Sequence, residues 1–148
     1  MELLIKAISE KIGNEIPLPY YATDGAAALD LHACVEEDVV IAPHARVMIP
    51  TGIAAAIPEG HVGIMAVRSS MGAKNGINLA NGIGVIDSDY RGELRVTLHN
   101  TTDAPYTVRC CDRIAQLMVV PVAHPTLKVV ADLPETQRGA GGFGSTGR

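Results

Sequence analysis

The chain has 148 residues, a formal net charge of −4 and an apolar fraction of 47%, which predicts one domain with a substantial core. No run of about 18 apolar residues occurs, so no part of the sequence is expected to span a membrane. The negative charge argues against nonspecific binding to nucleic acid. It does not exclude a small anionic ligand, because a few arginines at contact distance would outweigh a screened net charge.

The cysteines and the N-terminus give information on the cellular compartment of the protein. Cys34, Cys110 and Cys111 are odd in number and form no C-x-x-C pair, so neither a disulfide framework nor a zinc site is expected. The first residues lack the basic region of a signal peptide. A reducing cytoplasm is therefore the predicted location.

Short apolar segments alternate with turn signals, a pattern typical of β-sandwiches and barrels. Residues 3–12 could also form an amphipathic helix, but a strand over 3–7 is favoured. A short helix is expected over 71–74, capped by Ser69 or Ser70. The predicted strands are 3–7, 29–34, 39–42, 46–57 with a break at Pro50, 62–67, 83–86, 93–98, 106–109, 114–122 and 127–130.

The expected organisation is a β-rich body over residues 1–134 and a flexible glycine-rich arm over 135–148. The arm carries Phe143, the single phenylalanine of the chain, among glycines that give it little to pack against. A large ring on such a backbone makes sense if it closes over a flat ligand such as a nucleobase. A disordered terminus is the alternative. Residues 139–144 match G-x-G-x-x-G, but a dinucleotide site needs that motif between a strand and a helix.

Two polar segments inside the body can carry chemistry. Asp87 follows an apolar strand end, and nearby glycines would let the backbone approach a ligand closely. A plain β-hairpin explains the same residues. Arg68, Ser69 and Ser70 offer a guanidinium and two hydroxyls at a possible helix start, which suits an oxyanion. A capped helix beside a solvated arginine is the alternative.

Two further polar positions lie on predicted strands. Asp30 stands between Leu29 and Leu31, so its carboxylate should face water, a salt bridge or a metal-bound water. Arg113 and Gln116 are three residues apart ahead of an apolar strand, and either could be simple surface.

In order and content, five segments resemble the five motifs of the trimeric dUTP diphosphatases, the dUTPases. The third and fifth are highly specific, whereas the first alone would be weak. The segments are residues 27–33 (AALDLHA), 68–72 (RSSMG), 81–94 (NGIGVIDSDYRGEL), 113–117 (RIAQL) and 138–147 (RGAGGFGSTG).

The resemblance implies a fold and a reaction. The fold is all-β, a jelly-roll-like subunit with one short helix, assembled as a homotrimer with three shared active sites. The reaction converts dUTP and water to dUMP and pyrophosphate, which limits uracil incorporation into DNA and supplies dUMP for thymidylate synthesis. Mg²⁺ would be held mainly by the triphosphate, and Asp30 would touch the ion only through water.

The resemblance also assigns roles to residues. Asp87 would activate the water that attacks the α-phosphorus. Phe143 would stack on uracil, and Tyr90 would lie against the deoxyribose. The implied substrate-binding residues are Arg68, Ser69, Ser70, Gly72, Asn81, Gly84, Val85, Ile86, Tyr90, Gln116, Arg138, Phe143, Gly144, Ser145 and Thr146.

Three other functions compete with this interpretation. The dCTP deaminases share the fold, but Thr97 stands where that family places its catalytic glutamate, and a hydroxyl cannot replace that acid/base group. A nucleotide sensor without catalysis would leave Asp87 without a purpose. A structural jelly-roll subunit would leave Arg68 and Phe143 idle as well.

Overall fold

The computed structural model describes residues 1–142, and nearly all of its regular structure is β. In this part of the chain the strands are β1 (Leu4–Ala7), β2 (Leu29–His32), β3 (Val39–Ile41), β4 (Arg46–Ala56), β5 (His61–Val67), β6 (Ile77–Leu79), β7 (Gly84–Ile86), β8 (Glu93–Asn100), β9 (Tyr106–Val108) and β10 (Arg113–Pro121). A single π-helical turn, Ser70–Lys74, follows β5. The predicted all-β, jelly-roll-like class with one short helix is confirmed.

Two four-stranded antiparallel sheets form the body. One has the order β1-β4-β8-β6 and the other β2-β10-β5-β7, while β3 and β9 pair separately. Their facing sides supply the core through alternate residues, as β8 shows with Leu94, Val96 and Leu98 buried. This alternation, apolar inward and polar outward, is what an antiparallel sheet with one covered face requires.

The outer face of the second sheet positions the site. Strands β5 and β10 pair Val62 with Val120 and Ile64 with Met118, so these side chains point away from the core. Val120 is 41% exposed, and its three neighbours are half-buried. This outer apolar face (Val62, Ile64, Met118 and Val120) lies between two polar ends of the sheet.

Three strand predictions need correction. No strand forms at residues 127–130, which are exposed and follow Pro121 and Pro125, two residues without a backbone N–H for a ladder. Strand β6 was not predicted, because three residues are too few to show a period. Pro50 does not end β4; the pairing with β8 instead shifts register between Pro50 and Ala54.

The predicted serine cap is also wrong. Ser69 makes no side-chain capping bond, and its φ of −55° and ψ of −38° are helical. A capping residue normally has extended backbone angles, which aim its hydroxyl at the first free N–H groups. Here the backbone N–H groups of Met71 and Gly72 donate to the carbonyl oxygen of Arg68, at 3.0 and 3.1 Å.

Within residues 1–142 the structure contains no helix that is both long and apolar enough to cross a membrane.

Candidate functional site

One polar end of the second sheet is organised around Asp30, a buried carboxylate on β2. Its Oδ1 lies 3.1 Å from Nε of Arg68, and its Oδ2 accepts a hydrogen bond from Nη1 of Arg113 at 3.1 Å. The Asp30 side chain is 8% exposed, against 26% for Arg68 and 42% for Arg113. Of the environments that the sequence left open for Asp30, the salt bridge is therefore occupied. A buried carboxylate requires such pairing because an isolated buried charge is very costly.

The π-helical turn holds the segment that follows Arg68. Ser69 and Ser70 are exposed, so both hydroxyls are available to a ligand. A Cβ at Gly72 would come within 3.2 Å of the side-chain oxygen of Asn78, so a larger residue there would require that side chain to move. These residues lie beside Asp30 because they directly follow Arg68, which pairs with it.

Gln116 joins the same end of the sheet from β10. It lies opposite Asp30 in one pairing and opposite Ala66 in the other, which puts it on the outer face. Its Nε2 lies 3.5 Å from the carbonyl oxygen of Val67, at the limit of a hydrogen bond. The amide therefore stays available to a ligand. The Asp30 cluster (Asp30, Arg68, Arg113 and Gln116) thus combines one buried acceptor with several donors.

Buried His32 lies at the end of β2, beside this cluster. Its ring stacks on that of Tyr20, with centroids 6.0 Å apart and planes 25° apart. Burial lowers the pKa of His32 below its ordinary value of 6.5; the carboxylate of Asp30 opposes this shift, and Arg113 and Arg68 add to it. A lowered pKa keeps the imidazole neutral near neutral pH, so it adds no charge to the cluster.

The second polar region is the turn after β7, which presents Asp87. Gly84 is buried, and a Cβ there would lie 2.9 Å from the terminal carbon of Met65, so glycine at this position lets β7 pack closely on β5. Val85 is 58% exposed, and Asp87 is exposed as well. Asp87 lines two concavities, of about 290 Å³ and about 440 Å³. The smaller one also includes Ile86 and Tyr90.

The turn between Asp87 and Glu93 is braced by its own side chains. Nη1 of Arg91 donates to the carbonyl oxygens of Ser88 and Tyr90 at 2.7 and 2.8 Å. The Tyr90 hydroxyl donates to the carbonyl oxygen of Glu93 at 3.0 Å. A Cβ at Gly92 would lie 2.6 Å from Cζ of Tyr90, so this glycine is what allows the ring to lie across the turn.

The two polar regions are far apart within one chain. The pairing of β5 with β7 places Gly63 opposite Ile86, so Asp87 follows on opposite Val62. Arg68 is six residues further along β5, which is about 20 Å at the usual rise of a strand. The structure therefore brings Arg68, Gln116 and Asp30 together, and it leaves Asp87 and Tyr90 at the other end of the sheet.

The remaining predicted site residues are distributed as follows. Asn81 is exposed in the turn before β7. Arg138 is exposed, and its Nε donates to the carbonyl oxygen of Gly141 at 3.0 Å. The predicted ligand contacts of Phe143, Gly144, Ser145 and Thr146 lie outside the described residues.

Two positions of structural importance were missed from the sequence. Arg113 had been left as possible surface, although a carboxylate between two leucines, such as Asp30, indicates that a donor or a cation lies near. Glu93 was given no role, yet its Oε1 accepts from the backbone N–H of Gly52 at 2.9 Å and its Oε2 pairs with Arg95 at 2.8 Å. This carboxylate ties the Asp87 turn to the register shift in β4.

Relatives of known name match this chain in sequence over nearly its whole length. The protein is 48% identical over 145 residues to the deoxyuridine 5'-triphosphate nucleotidohydrolase of Actinobacillus pleuropneumoniae serotype 3, covering 97% of this chain and 96% of the relative. It is 47% identical to the protein of that name from Legionella pneumophila strain Paris, with coverage of 97% and 95%.

Solved structures agree with the sequence comparison. The G164S mutant of the dUTPase of Staphylococcus bacteriophage 80alpha, solved with dUpNHpp, superposes with a TM-score of 0.88 at 27% identity over 99% of both chains. A variant dUTPase from phage phi11 of S. aureus, described with a structural Mg(II) ion, has a TM-score of 0.80 at 25% identity, covering 91% of this chain and 100% of that one. The dUTPase family model matches residues 14–147, and the chain therefore belongs to the dUTPase family.

Proposed function

We propose that the protein hydrolyses dUTP to dUMP and pyrophosphate, limiting uracil incorporation into DNA and supplying dUMP for thymidylate synthesis. The observation that carries the proposal is the position of Asp87, exposed between two concavities in a chain of the dUTPase family. The carboxylate is open to a water molecule and to a ligand at once, as a general base must be.

The proposed step uses Asp87 as that base. Asp87 takes a proton from water, the water oxygen bonds to the α-phosphorus in line with the leaving group, and the bond from that phosphorus to the bridging oxygen breaks. Pyrophosphate leaves with the bonding electrons. A positioned base contributes roughly 10²–10⁴-fold, and charge neutralisation with orientation supplies much of the rest.

The Asp30 cluster suits the phosphates. Guanidinium, hydroxyl and amide groups of Arg68, Ser69 and Gln116 are donors, and phosphate oxygens are acceptors. Phosphate oxygens can chelate Mg²⁺, so the ion would be held mainly by the triphosphate. Each Asp30 oxygen keeps a second lone pair, to which a Mg²⁺-bound water could donate. Bound in that way, Mg²⁺ would neutralise part of the triphosphate charge.

The two turns on either side of β7 would recognise the nucleoside. The backbone of residues 81–86, with Asn81, Gly84, Val85 and Ile86, would pair with uracil, and a tight wall would exclude the 5-methyl group of thymine. Fixed donors and acceptors would leave cytosine unpaired, a mismatch that enzymes reject strongly. Tyr90 would leave no room for a 2′-hydroxyl. This role is supported by the exposed edge that Val85 and Tyr90 present.

The arm would complete the site. Phe143 would stack on uracil, and Arg138 would hold the γ-phosphate with Gly144, Ser145 and Thr146. The exposure of Arg138 is compatible with this role. We propose residues 1–134 as the catalytic body and 135–148 as the arm that closes over the nucleotide.

We further propose that the active form is a homotrimer with shared sites. A base acting at the α-phosphorus and donors to the neighbouring phosphates must lie within hydrogen-bond reach of one triphosphate. Asp87 and Arg68 of one chain are separated by about 20 Å of strand, so a second copy has to supply one of them. The outer apolar face between them would be covered by such an assembly.

The experiment is a comparison of dUTP, dTTP, dCTP and UTP in the presence of Mg²⁺. Pyrophosphate release is followed for all four nucleotides, and ammonia release is followed for dCTP. Rapid release from dUTP alone is expected. Binding of dUTP without pyrophosphate release, or ammonia release from dCTP, would contradict the proposal.

A further inference from the structure

We propose that Arg113 is a second phosphate-binding residue and that Asp30 is the positioning residue that holds Arg68 and Arg113 side by side. The inference rests on the function proposed above, because it assigns both guanidinium groups to one triphosphate. The family resemblance implied phosphate contacts for Arg68, Gln116 and the arm but none for Arg113, and it implied only an indirect contact of Asp30 with the metal.

The first support is the geometry of the carboxylate. Oδ1 of Asp30 is 3.1 Å from Nε of Arg68, and Oδ2 is 3.1 Å from Nη1 of Arg113. Asp30 thus bridges two arginines from different parts of the chain, one directly after β5 and one at the start of β10. Arg113 cannot turn away without breaking a charge-assisted hydrogen bond, and Arg68 cannot turn away without breaking an ion pair.

The second support is the net charge of Asp30, Arg68 and Arg113 taken together. One arginine would suffice to neutralise Asp30, so the group of three side chains carries a net positive charge. Among the ion pairs of residues 1–142, Asp30 is the one carboxylate partner of either arginine. Each guanidinium has five N–H donors in a planar fork, and most of them stay free.

The third support is exposure. The side chains of Arg68 and Arg113 are 26% and 42% exposed, whereas that of Asp30 is 8% exposed. The acceptor is therefore covered, and the donors reach the surface. Gln116 adds amide donors from the position opposite Asp30. A surface of donors over a buried anchor matches a polyanion with many acceptor oxygens, such as a triphosphate.

The test is steady-state kinetics of R113Q and D30N with dUTP at saturating Mg²⁺. Arg109→Gln is the matched control, because Arg109 is exposed and its pair with Asp38 is long, at 3.5 Å. For R113Q we expect KM to rise on the order of tenfold to hundredfold, the loss of one charge-assisted contact, with a smaller change in kcat. R109Q removes the same charge and should leave KM unchanged. A KM of R113Q equal to that of R109Q would overturn the assignment.

The double variant tests the positioning role of Asp30. If Asp30 acts by holding Arg113, the KM increase of D30N with R113Q should be smaller than the product of the single increases. Multiplying effects would overturn the positioning role. So would a D30N variant that keeps its KM for dUTP and only needs more Mg²⁺, because that result assigns Asp30 to the metal alone.

Two further measurements cover failure of the fold or of the function. If R113Q does not fold, R113K is measured instead: a raised KM supports the inference, because lysine lacks the fork, and a wild-type KM refutes it. Calorimetry with pyrophosphate gives the same test without turnover. Binding that is weakened by R113Q in a protein that fails to hydrolyse dUTP would refute the proposed function but support this inference. Equal binding of pyrophosphate by the wild type and R113Q would refute the inference itself.

Discussion

Asp87 and Arg68 lie at opposite ends of the sheet β2-β10-β5-β7, with the outer apolar face between them. Asp87 follows the short strand β7, and Arg68 follows β5 at its far end. A single chain therefore offers a base at one place and phosphate donors at another. This separation makes the proposed function depend on assembly, and it shapes the predictions below.

Asp87→Asn should abolish turnover and leave dUTP binding intact. The amide has nearly the volume of the carboxylate but cannot take the proton from water, so the loss should be roughly 10²–10⁴-fold in kcat. Turnover is measured by pyrophosphate release and binding by calorimetry. Asp89→Asn, two residues away and also exposed, is the matched control and should keep most of the activity. Unchanged turnover in D87N would remove the base from the mechanism.

The glycine-rich arm should serve the ligand and not the fold. Removing residues 138–148 should cripple turnover, while circular dichroism and the oligomeric state stay as in the full chain. Phe143→Ala should weaken nucleotide affinity by the loss of one stacking contact, about 1–3 kcal/mol, without changing the pH profile. Leu133→Ala removes an exposed apolar side chain upstream of the deletion and is the control. Unfolding of the truncated protein would show that the arm is structural.

Cys111 occupies a backbone position that suits glycine. Its φ is +68°, and its N–H donates to the carbonyl oxygen of Ala33 at 2.9 Å while Asp112 N–H donates to that of Arg109 at 3.1 Å. This is the left-handed position of a turn that leads into a β-bulge. Relief of that strain, about 1–2 kcal/mol, should offset the larger chain entropy of glycine and part of the core packing lost with the side chain, so Cys111→Gly should change the free energy of unfolding little.

Urea unfolding measures the effect of Cys111→Gly. The control is Cys110→Gly at the preceding position, where φ is not positive. Both cysteines pack against the core, so Cys110→Gly loses that packing without any relief of strain and should lower the free energy of unfolding more than Cys111→Gly does. An equal loss of unfolding free energy in the two variants would mean that Cys111 is not strained.

The buried imidazole of His32 should make stability depend on pH. Burial lowers the folded-state pKa of His32, so the unfolded chain takes up a proton at a higher pH than the folded chain does. The stabilisation is complete above the ordinary value of 6.5 and is lost as pH falls below it, by at most about 1.4 kcal/mol per pH unit. The free energy of unfolding is compared at about pH 7.5 and about pH 5.5 for the wild type and His32→Gln. Equal pH dependence in both proteins would exclude His32 as the cause.

The fold was largely predictable because its signals are local. Alternation along β8 and the prolines between strands indicated short antiparallel strands. The strand expected at 127–130 failed because apolar composition says nothing about a pairing partner. The serine cap failed because a capping residue type does not determine its own backbone angles, and Ser69 is helical.

The ion pairing of Asp30 could not be predicted from the sequence. Asp30 stood out as a carboxylate between leucines, yet its partner Arg113 is 83 residues away in sequence. Periodicity along one strand does not reveal contacts at that sequence separation, because they depend on the order of the strands in the sheet. The distance between Asp87 and Arg68 could not be predicted for the same reason. Both residues follow apolar strands, so the sequence does not show that they lie at opposite ends of the sheet.

The most direct test of the central claim is complementation between two inactive variants, D87N and R68Q. Each variant alone should be inactive. Unfolded and refolded together in equal amounts, they should recover about one quarter of the wild-type rate, because each site would draw Asp87 from one chain and Arg68 from another. A mixture with no more activity than the sum of the separate variants would contradict the account, because both residues would then have to act within one chain.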